Sequence, residues 1–377
     1  MNLRHSISYL AITALLSASG CAFITRLTTA GGADAAAFTV DLEKYSIKHL
    51  SLATEPAKSS LCPGAEIFVH LKAEALELKG SKTVTLETAA LNASAEDSRG
   101  KMDPTEFVMA ARGGSITDGV FASNPEIFAT LLGFDIRATY RLDTSKEVVQ
   151  HFTPDYSCFR VAGLPGPEGN SGSSGSQGSS SGGAGSMGGP GGAGGPGPEV
   201  IAVVTIVQTP LYERVGLVHI SPTDKLTLFD LDTGLTVTAR GGRGGRGGHG
   251  GRGGEGSKPQ GSGGPGGSGG IGASGGPGGR LLLVLDERYP ELADIVGIDV
   301  AGGSPGNAGM GGSGGSGSPA YNACSGCPLT PAGAKGPGGP SGSPGNISGP
   351  EGNAETRHEN VKEHFTGLPE GIRLLDD

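Results

Sequence analysis

A glycine at every third position, kept through six separate stretches, most constrains what this chain can fold into. Of the 72 glycines in the 377 residues, 60 lie between Gly163 and Gly352. The six stretches, called arms 1 to 6 in chain order, cover residues 163–178, 182–197, 241–256, 263–278, 303–315 and 333–345. Short breaks join arms 1 and 2, arms 3 and 4, and arms 5 and 6. The arms therefore form three hairpins.

Three physical states are compatible with this repeat. A flexible Gly/Ser linker does not explain arms of similar length with a break in the middle of each hairpin. A collagen-like trimer needs longer uninterrupted repeats and more proline. The third state is a bundle of extended threefold helices, in which a rise of ~3.1 Å per residue makes each arm about 50 Å long. Doubled glycines such as Gly241-Gly242 would then mark arms with neighbours on two faces. We expect the bundle, with the linker and the trimer as alternatives.

The repeat in residues 163–352 resembles the polyglycine-II bundles of phage tail-fibre tip adhesins and of springtail glycine-rich antifreeze proteins. The likeness is one of pattern and includes no specific motif. In the adhesins, loops at the tip of the bundle carry recognition. The resemblance implies that the arm tips, Ser179–Ser181, Ser257–Gln260 and Tyr321–Cys327, are contact points.

Outside the arms the chain shows strand patterns. Residues 38–161 alternate apolar and polar side chains, as at Phe38, Val40 and Leu42, which predicts half-buried antiparallel strands. The same alternation occurs at Ile67, Val69, Leu71, Val84, Leu86, Ile136, Ala138, Tyr140 and Leu142. Asn124-Pro125 predicts the start of a short helix carrying Ile127, Phe128, Leu131 and Leu132. We therefore expect a β-rich N-terminal domain that is a sandwich.

The predicted fold class is mainly β, with a β-sandwich-like base and a six-arm polyglycine-II helical bundle formed by the three hairpins. Residues 162–352 hold the hairpins, interleaved with β-strands in 200–239 and 280–301. Residues 353–377 are predicted to form a polar helix and a final strand.

The N-terminus has the features of an export signal. Arg4 precedes an apolar stretch from Ile7 to Leu16, which is too short to span a bilayer. The following run Leu16-Ser17-Ala18-Ser19-Gly20-Cys21 resembles the lipobox of bacterial lipoproteins, although Ala18 stands where Leu or Val is usual. The resemblance implies cleavage after residue 20, diacylation of Cys21, and export to the outer membrane, because Ala22 follows the cysteine. Residues 1–20 are then the signal peptide, and residues 21–37 are a tether to the membrane. An ordinary secretory signal is the alternative.

The remaining cysteines suit an oxidising compartment. They number four: Cys62, Cys158, Cys324 and Cys327. Three pairings are possible. We expect Cys62 with Cys158 and Cys324 with Cys327, because each pair lies inside one sequence unit.

Arm 3 carries a row of basic side chains. The row consists of Arg240, Arg243, Arg246, His249 and Arg252. On a threefold helix these residues stack into one ridge, where Arg can pair with phosphate or carboxylate groups of an anionic glycan or lipopolysaccharide. The repeat also resembles the RGG boxes of RNA-binding proteins, but their interleaved aromatic residues are missing. The formal net charge of −9 argues against general affinity for nucleic acid. A solvated outer face is the alternative reading of the ridge.

No motif indicates catalysis. G-x-S-x-G occurs at 302–306, 266–270 and 311–315, but it follows from glycine and serine abundance and lacks a strand–turn–helix context. His358 and His364 are six residues apart and fall on different faces of a helix. We expect no enzyme, no cofactor and no metal. The predicted function is a non-catalytic envelope lipoprotein for surface recognition or adhesion. The alternatives are a purely structural envelope or matrix component and an RGG-like binder of anionic polymers.

Overall fold

The computed structural model describes residues 39–89 and 96–375. The chain divides into two compact units, one ending at Pro154 and the other beginning at Asp155. The sequence predicts the end of the N-terminal domain at residue 161. The predicted signal peptide, the tether and Cys21 lie outside the described residues.

The described part of the first unit contains nine strands. They are β1 Tyr45–Glu55, β2 Ser60–Leu61, β3 Glu66–Glu77, β4 Thr83–Glu87, β5 Phe107–Arg112, β6 Gly114–Thr117, β7 Val120–Ser123, β8 Phe134–Tyr140 and β9 Glu147–Pro154. One sheet has the order β1-β3-β7-β6, with β4 also paired to β3, and the other has the order β2-β9-β8-β5. All pairs are antiparallel except β2 with β9.

Alternating burial along the strands gives the first unit its core. In β3 every second residue from Ile67 to Ala75 is buried, and β8 repeats this pattern. Two apolar clusters each combine side chains from both sheets. Leu71 of β3 shares one with Phe107 of β5, and Phe121 of β7 shares the other with Phe152 of β9. The period-two pattern therefore predicted these strands correctly, because one face of each sheet is buried.

Three details of the first unit differ from the expectation. Val40 makes only an isolated bridge to Met102, and Leu42 begins a 3-10 turn, Leu42–Lys44. Leu142 lies beyond the end of β8 and is 62% exposed. The helix expected after Asn124 is a single 3-10 turn, Ile127–Thr130. It stops because Gly133 takes a positive φ of 75° and β8 begins at the next residue.

The second unit, described up to residue 375, also has nine strands. They are β10 Val161–Gly163, β11 Glu199–Gln208, β12 Val215–Ser221, β13 Lys225–Phe229, β14 Leu235–Thr238, β15 Arg280–Asp286, β16 Val296–Asp299, β17 Asn353–Glu359 and β18 Arg373–Leu374. A three-stranded sheet has the order β10-β14-β16, and a larger sheet has the order β13-β12-β11-β15-β17, with β18 paired to β11. One buried apolar cluster contains residues of both sheets, among them Val237 of β14 and Leu283 of β15.

In residues 39–89 and 96–375, helical structure consists of short turns. Besides the two turns already given, they are 3-10 turns at Pro104–Glu106, Tyr156–Cys158 and Lys362–Phe365 and one α-helical turn, α1, at Leu292–Ile295.

Every arm is joined to a strand. β10, β14 and β16 pair in parallel and run into arms 1, 3 and 5. β11, β15 and β17 also pair in parallel and follow arms 2, 4 and 6. Each hairpin thus leaves from one sheet and returns to the other.

The prediction of a polar helix in the C-terminal segment is wrong. Residues 353–359 form β17 rather than a polar helix, and only one 3-10 turn, Lys362–Phe365, follows. The predicted final strand is the short β18. The segment is extended because it continues arm 6 and pairs with β15 over its whole length.

Candidate recognition surface

The six arms are hydrogen-bonded to one another at every third residue. In the outgoing layer, which we define as arms 1, 3 and 5, glycine amides of arm 1 donate to carbonyls of arm 3, and those of arm 3 donate to arm 5. Gly169 donates to the carbonyl of Arg243 at 2.8 Å, and Gly244 donates to that of Ser304 at 2.9 Å. In the returning layer, arms 2, 4 and 6, Gly188 donates to Ser268 at 2.9 Å. The same spacing of bonds recurs along each arm.

A second set of bonds joins the two layers. Gly245 of arm 3 donates to Gly192 of arm 2, and Gly270 of arm 4 donates to Gly248 of arm 3, both at 2.8 Å. In arms 2, 3 and 4 the doubled glycines therefore donate in two directions, the first glycine of a doublet within the layer and the second across it, whereas in arm 5 only the second glycine donates. Arm 6 slips by one residue after Gly345, and its bonds resume at Gly349.

The glycines are required because the backbones approach too closely for side chains. A Cβ added at Gly248 would lie under 3.0 Å from the backbone of Ser173 in arm 1, and one at Gly312 would meet the backbone of Gly251 in arm 3. Such contacts cannot be relieved by rotating a side chain, because backbone atoms make them. Ordering so many glycines costs conformational entropy, which the bonds between arms offset.

The outgoing layer carries the predicted basic ridge. In arm 3 only one residue of each triplet has a side chain, and Arg240, Arg243, Arg246 and Arg252 are exposed. Their carbonyls accept the bonds from arm 1 at every third residue, so successive side chains lie on the same side of the arm.

Partners of the ridge lie at its two ends. Arg240 is 3.5 Å from Asp299, and Arg252 is 3.6 Å from Glu255 and donates to the hydroxyl of Ser316. His249 Nδ1 accepts a bond from the amide of Met310 at 3.3 Å. Within the described chain, Arg243 and Arg246 have no ion pair. The middle of the ridge is thus the part open to an anion.

The returning layer presents an uncharged surface that the sequence analysis did not identify. The third position of each triplet in arms 2, 4 and 6 forms three rows, which extend beyond residue 345 along the continuation of arm 6. The rows are Ala184, Met187, Pro190, Ala193 and Pro196; Ser262, Pro265, Ser268, Ile271, Ser274 and Pro277; and Ala334, Pro337, Pro340, Ser343, Ile347 and Pro350. Met187, Ile271 and Ile347 are 58 to 69% exposed.

The tips of the second and third hairpins touch. The ammonium of Lys258 lies 5.0 Å from the centre of the Tyr321 ring. Cys324 and Cys327 form a disulfide with a Cα–Cα distance of 5.2 Å, as predicted. Two cysteine pairs of the structure are at disulfide distance, so the prediction of disulfide bonds is confirmed.

Asp286, the most buried charged residue described in the second unit, is held by hydrogen bonds within the sheet. Asp286 is fully buried at the end of β15 and accepts hydrogen bonds from Thr205 of β11 at 2.6 Å and from Arg288 at 2.7 Å. Burial opposes ionisation, but the bonds from Arg288 and Thr205 outweigh it and lower the pKa of the Asp286 carboxyl. Arg288 also donates to the carbonyl of Leu375, so this ion pair fastens the C-terminal segment to the sheet.

Residues that catalytic motifs would need are placed apart from one another. The G-x-S-x-G serines lie in arms 4 and 5, where the carbonyls of Ser304, Ser268 and Ser313 accept bonds from neighbouring arms. His358 is on β17 and His364 lies in the 3-10 turn that follows. None of the helices formed by residues 39–89 and 96–375 has the length and apolarity needed to cross a bilayer.

No protein-family model matches the chain, and neither a curated protein nor a solved structure is significantly similar to it.

Proposed function

We propose that this chain is a non-catalytic lipoprotein of the bacterial cell envelope that displays a rigid glycine-rich platform for surface recognition or adhesion. The base is a β-sandwich-like unit, and the platform is a six-arm polyglycine-II bundle. A lipid on Cys21 anchors the protein in the outer membrane.

The observation that carries the proposal is the ladder of hydrogen bonds among all six arms, at 2.7 to 3.1 Å and at every third residue. Such a ladder supports a rigid platform, because each arm is held along its length by at least two others. The glycine contacts support the same reading, since a flexible linker has no need of backbones that exclude a Cβ.

The basic ridge is the part of the platform best suited to a charged ligand. Arg243 and Arg246 point the same way and are exposed, and Arg presents a planar fork of donors to sulfate, phosphate or carboxylate groups. A linear anionic glycan, whose charges repeat along its length, matches a row of cations better than a single anion does. The uncharged rows of the returning layer leave the opposite surface without this affinity.

Binding of an anionic polysaccharide tests the proposal. We expect the double variant Arg243→Ser with Arg246→Ser to lose at least about tenfold in affinity for dextran sulfate at low salt, since each charge-assisted bond contributes about 1.5–3 kcal/mol. Lys225→Ser with Lys335→Ser is the matched control, because it removes the same charge from exposed sites away from the ridge. Equal affinity of the two double variants would exclude the ridge and leave a structural role without a specific ligand.

A further inference from the structure

The edge of the larger sheet in the second unit is open along its last strand. β17 pairs with β15, and all seven of its residues are exposed. An unpaired strand edge presents a row of backbone donors and acceptors that can pair with another strand. Natural edges are often blocked by proline, lysine or a bulge, but Asn-Ala-Glu-Thr-Arg-His-Glu contains neither residue, and its register with β15 has no shift.

The hydrogen bonds to β15 show which backbone groups face outward. The amide of Asn353 donates to the carbonyl of Gly279, and the carbonyl of Glu359 accepts from the amide of Glu287. Odd-numbered residues of β17 therefore point their N–H and C=O groups toward β15. Those of Ala354, Thr356 and His358 point away from it, and in the described chain they have no backbone partner.

We propose that two copies of this chain pair through β17 as an antiparallel dimer with its twofold axis at Thr356. Ala354 then lies opposite the partner's His358, and Thr356 lies opposite the partner's Thr356. The three outward-facing residues of each strand exchange hydrogen bonds with those of the other. This goes beyond the proposed function, because it requires neither a ligand nor a lipid anchor.

Side-chain charge selects this register. Glu355 and Arg357 are on the same face of β17, where their side chains are 2.6 Å apart. With the axis at Thr356, Glu355 lies opposite the partner's Arg357, in a pair without backbone bonds, where side chains are closest. Because the symmetry doubles each contact, the dimer has two such cross-strand ion pairs.

The neighbouring registers are unfavourable. A slip of two residues one way places Glu355 opposite the partner's Glu355, and a slip the other way places Arg357 opposite the partner's Arg357. Like charges directly opposite each other destabilise an antiparallel pair. The segment is thus self-complementary in one register and self-repelling in the adjacent two.

The arms give the dimer a defined geometry. Arm 6 enters β17 at its N-terminal end, so antiparallel pairing directs the two sets of arms to opposite ends of the joined sheet. The tips are then far apart, and the tips of one copy do not obstruct those of the other.

Sedimentation velocity of the full chain over a concentration series tests the dimer, with charge reversal as the probe. We expect a monomer–dimer equilibrium for the unmodified chain. Glu355→Arg and Arg357→Glu should each raise the dissociation constant by about tenfold or more, because like charges then face each other twice. An equimolar mixture of the two variants should dimerise again, because each supplies the charge that the other lacks. Glu213→Arg, an exposed change in a loop of the same unit, should leave the equilibrium unaltered.

Thr356→Pro provides an independent check. It removes one outward-facing N–H at the axis and none of the groups that bond to β15, and edge strands tolerate proline. The variant should stay folded by circular dichroism and lose the dimer. A monomeric unmodified chain, or charge variants that dimerise alone as well as they do when mixed, would overturn the proposal.

Discussion

Single residues in the arms differ sharply in whether they could carry a side chain. Gly338 and Gly339 are neighbours in arm 6, and both have ordinary negative-φ or extended backbone. A Cβ at Gly339 would lie under 3.0 Å from the backbone of Gly267, whereas the nearest atom to a Cβ at Gly338 is the carbonyl oxygen of Gly312 at 3.7 Å. The repeat separates the two, because Gly339 belongs to the every-third series of arm 6 and Gly338 does not.

This pair makes a matched test of the close packing. We expect Gly339→Ala to lower the free energy of unfolding by about 1–3 kcal/mol, because the added methyl group overpacks a site bounded by backbone. Gly338→Ala should change it by no more than about 1 kcal/mol, in the stabilising direction, because alanine restricts the unfolded chain. Chemical denaturation of both variants measures the difference. Equal effects would mean that arms 4 and 6 are not in contact.

At the scale of elements, the sequence predicts a strand correctly where buried and exposed residues alternate. It does not predict a strand whose residues are all exposed. β3 and β8 follow the pattern because one face of each packs into the core. β17 has no buried residue, so its sequence carries no period and its polar composition suggested a helix. Its extended form comes from position, since it follows arm 6 as β11 and β15 follow arms 2 and 4. A comparison of the segments that follow arms 2, 4 and 6 could have predicted the extended form of β17.

The Asp286 ion pair could not be predicted either, because its partners are distant in sequence. Thr205 and Asp286 are 81 residues apart, and the arms between them bring the two strands into register. The pair joins β15 to β11 and, through Arg288, to Leu375. It therefore belongs to the assembly of the sheet and not to a local motif.

Replacing this buried carboxylate should weaken the sheet in a pH-dependent way. We expect Asp286→Asn to lower the free energy of unfolding at neutral pH by about 3–5 kcal/mol, because Arg288 loses its buried partner. The folded pKa of Asp286 is lowered, so its stabilising effect is present above the ordinary aspartate pKa and is lost as pH falls through the folded value. The difference in free energy of unfolding between the unmodified protein and Asp286→Asn should thus become smaller in acid.

Urea denaturation at several pH values measures this gap. Asp232→Asn, which removes an exposed carboxylate of the same unit, is the control and should have little effect. If the difference in free energy of unfolding stays constant down to strongly acidic pH, the ionised Asp286 carboxylate does not stabilise the sheet.

At the scale of the whole molecule, the sequence predicted the six arms and the basic ridge on the outgoing layer. It did not predict the uncharged surface of the returning layer. The glycine at every third position indicated six separate segments, and the row that contains Arg243 and Arg246 could be read directly from the same repeat. The uncharged rows of the returning layer were not recognised, because their members are common residues in three separate arms. Only the order in which arms 2, 4 and 6 bond to one another places Met187, Ile271 and Ile347 on the same layer.

The central claim is that the six arms form one hydrogen-bonded bundle, and amide hydrogen exchange of the purified protein tests it most directly. The bonded glycine amides of arms 3 and 4 should exchange slowest, because both members of their doublets donate to neighbouring arms. Residues 179–181 and 257–260 at the hairpin tips are the internal reference and should exchange faster. Slow exchange of the bonded glycine amides in all six arms is the predicted result. Exchange at the rate of an unstructured peptide in all six arms would contradict the bundle and return the arms to the status of flexible linkers.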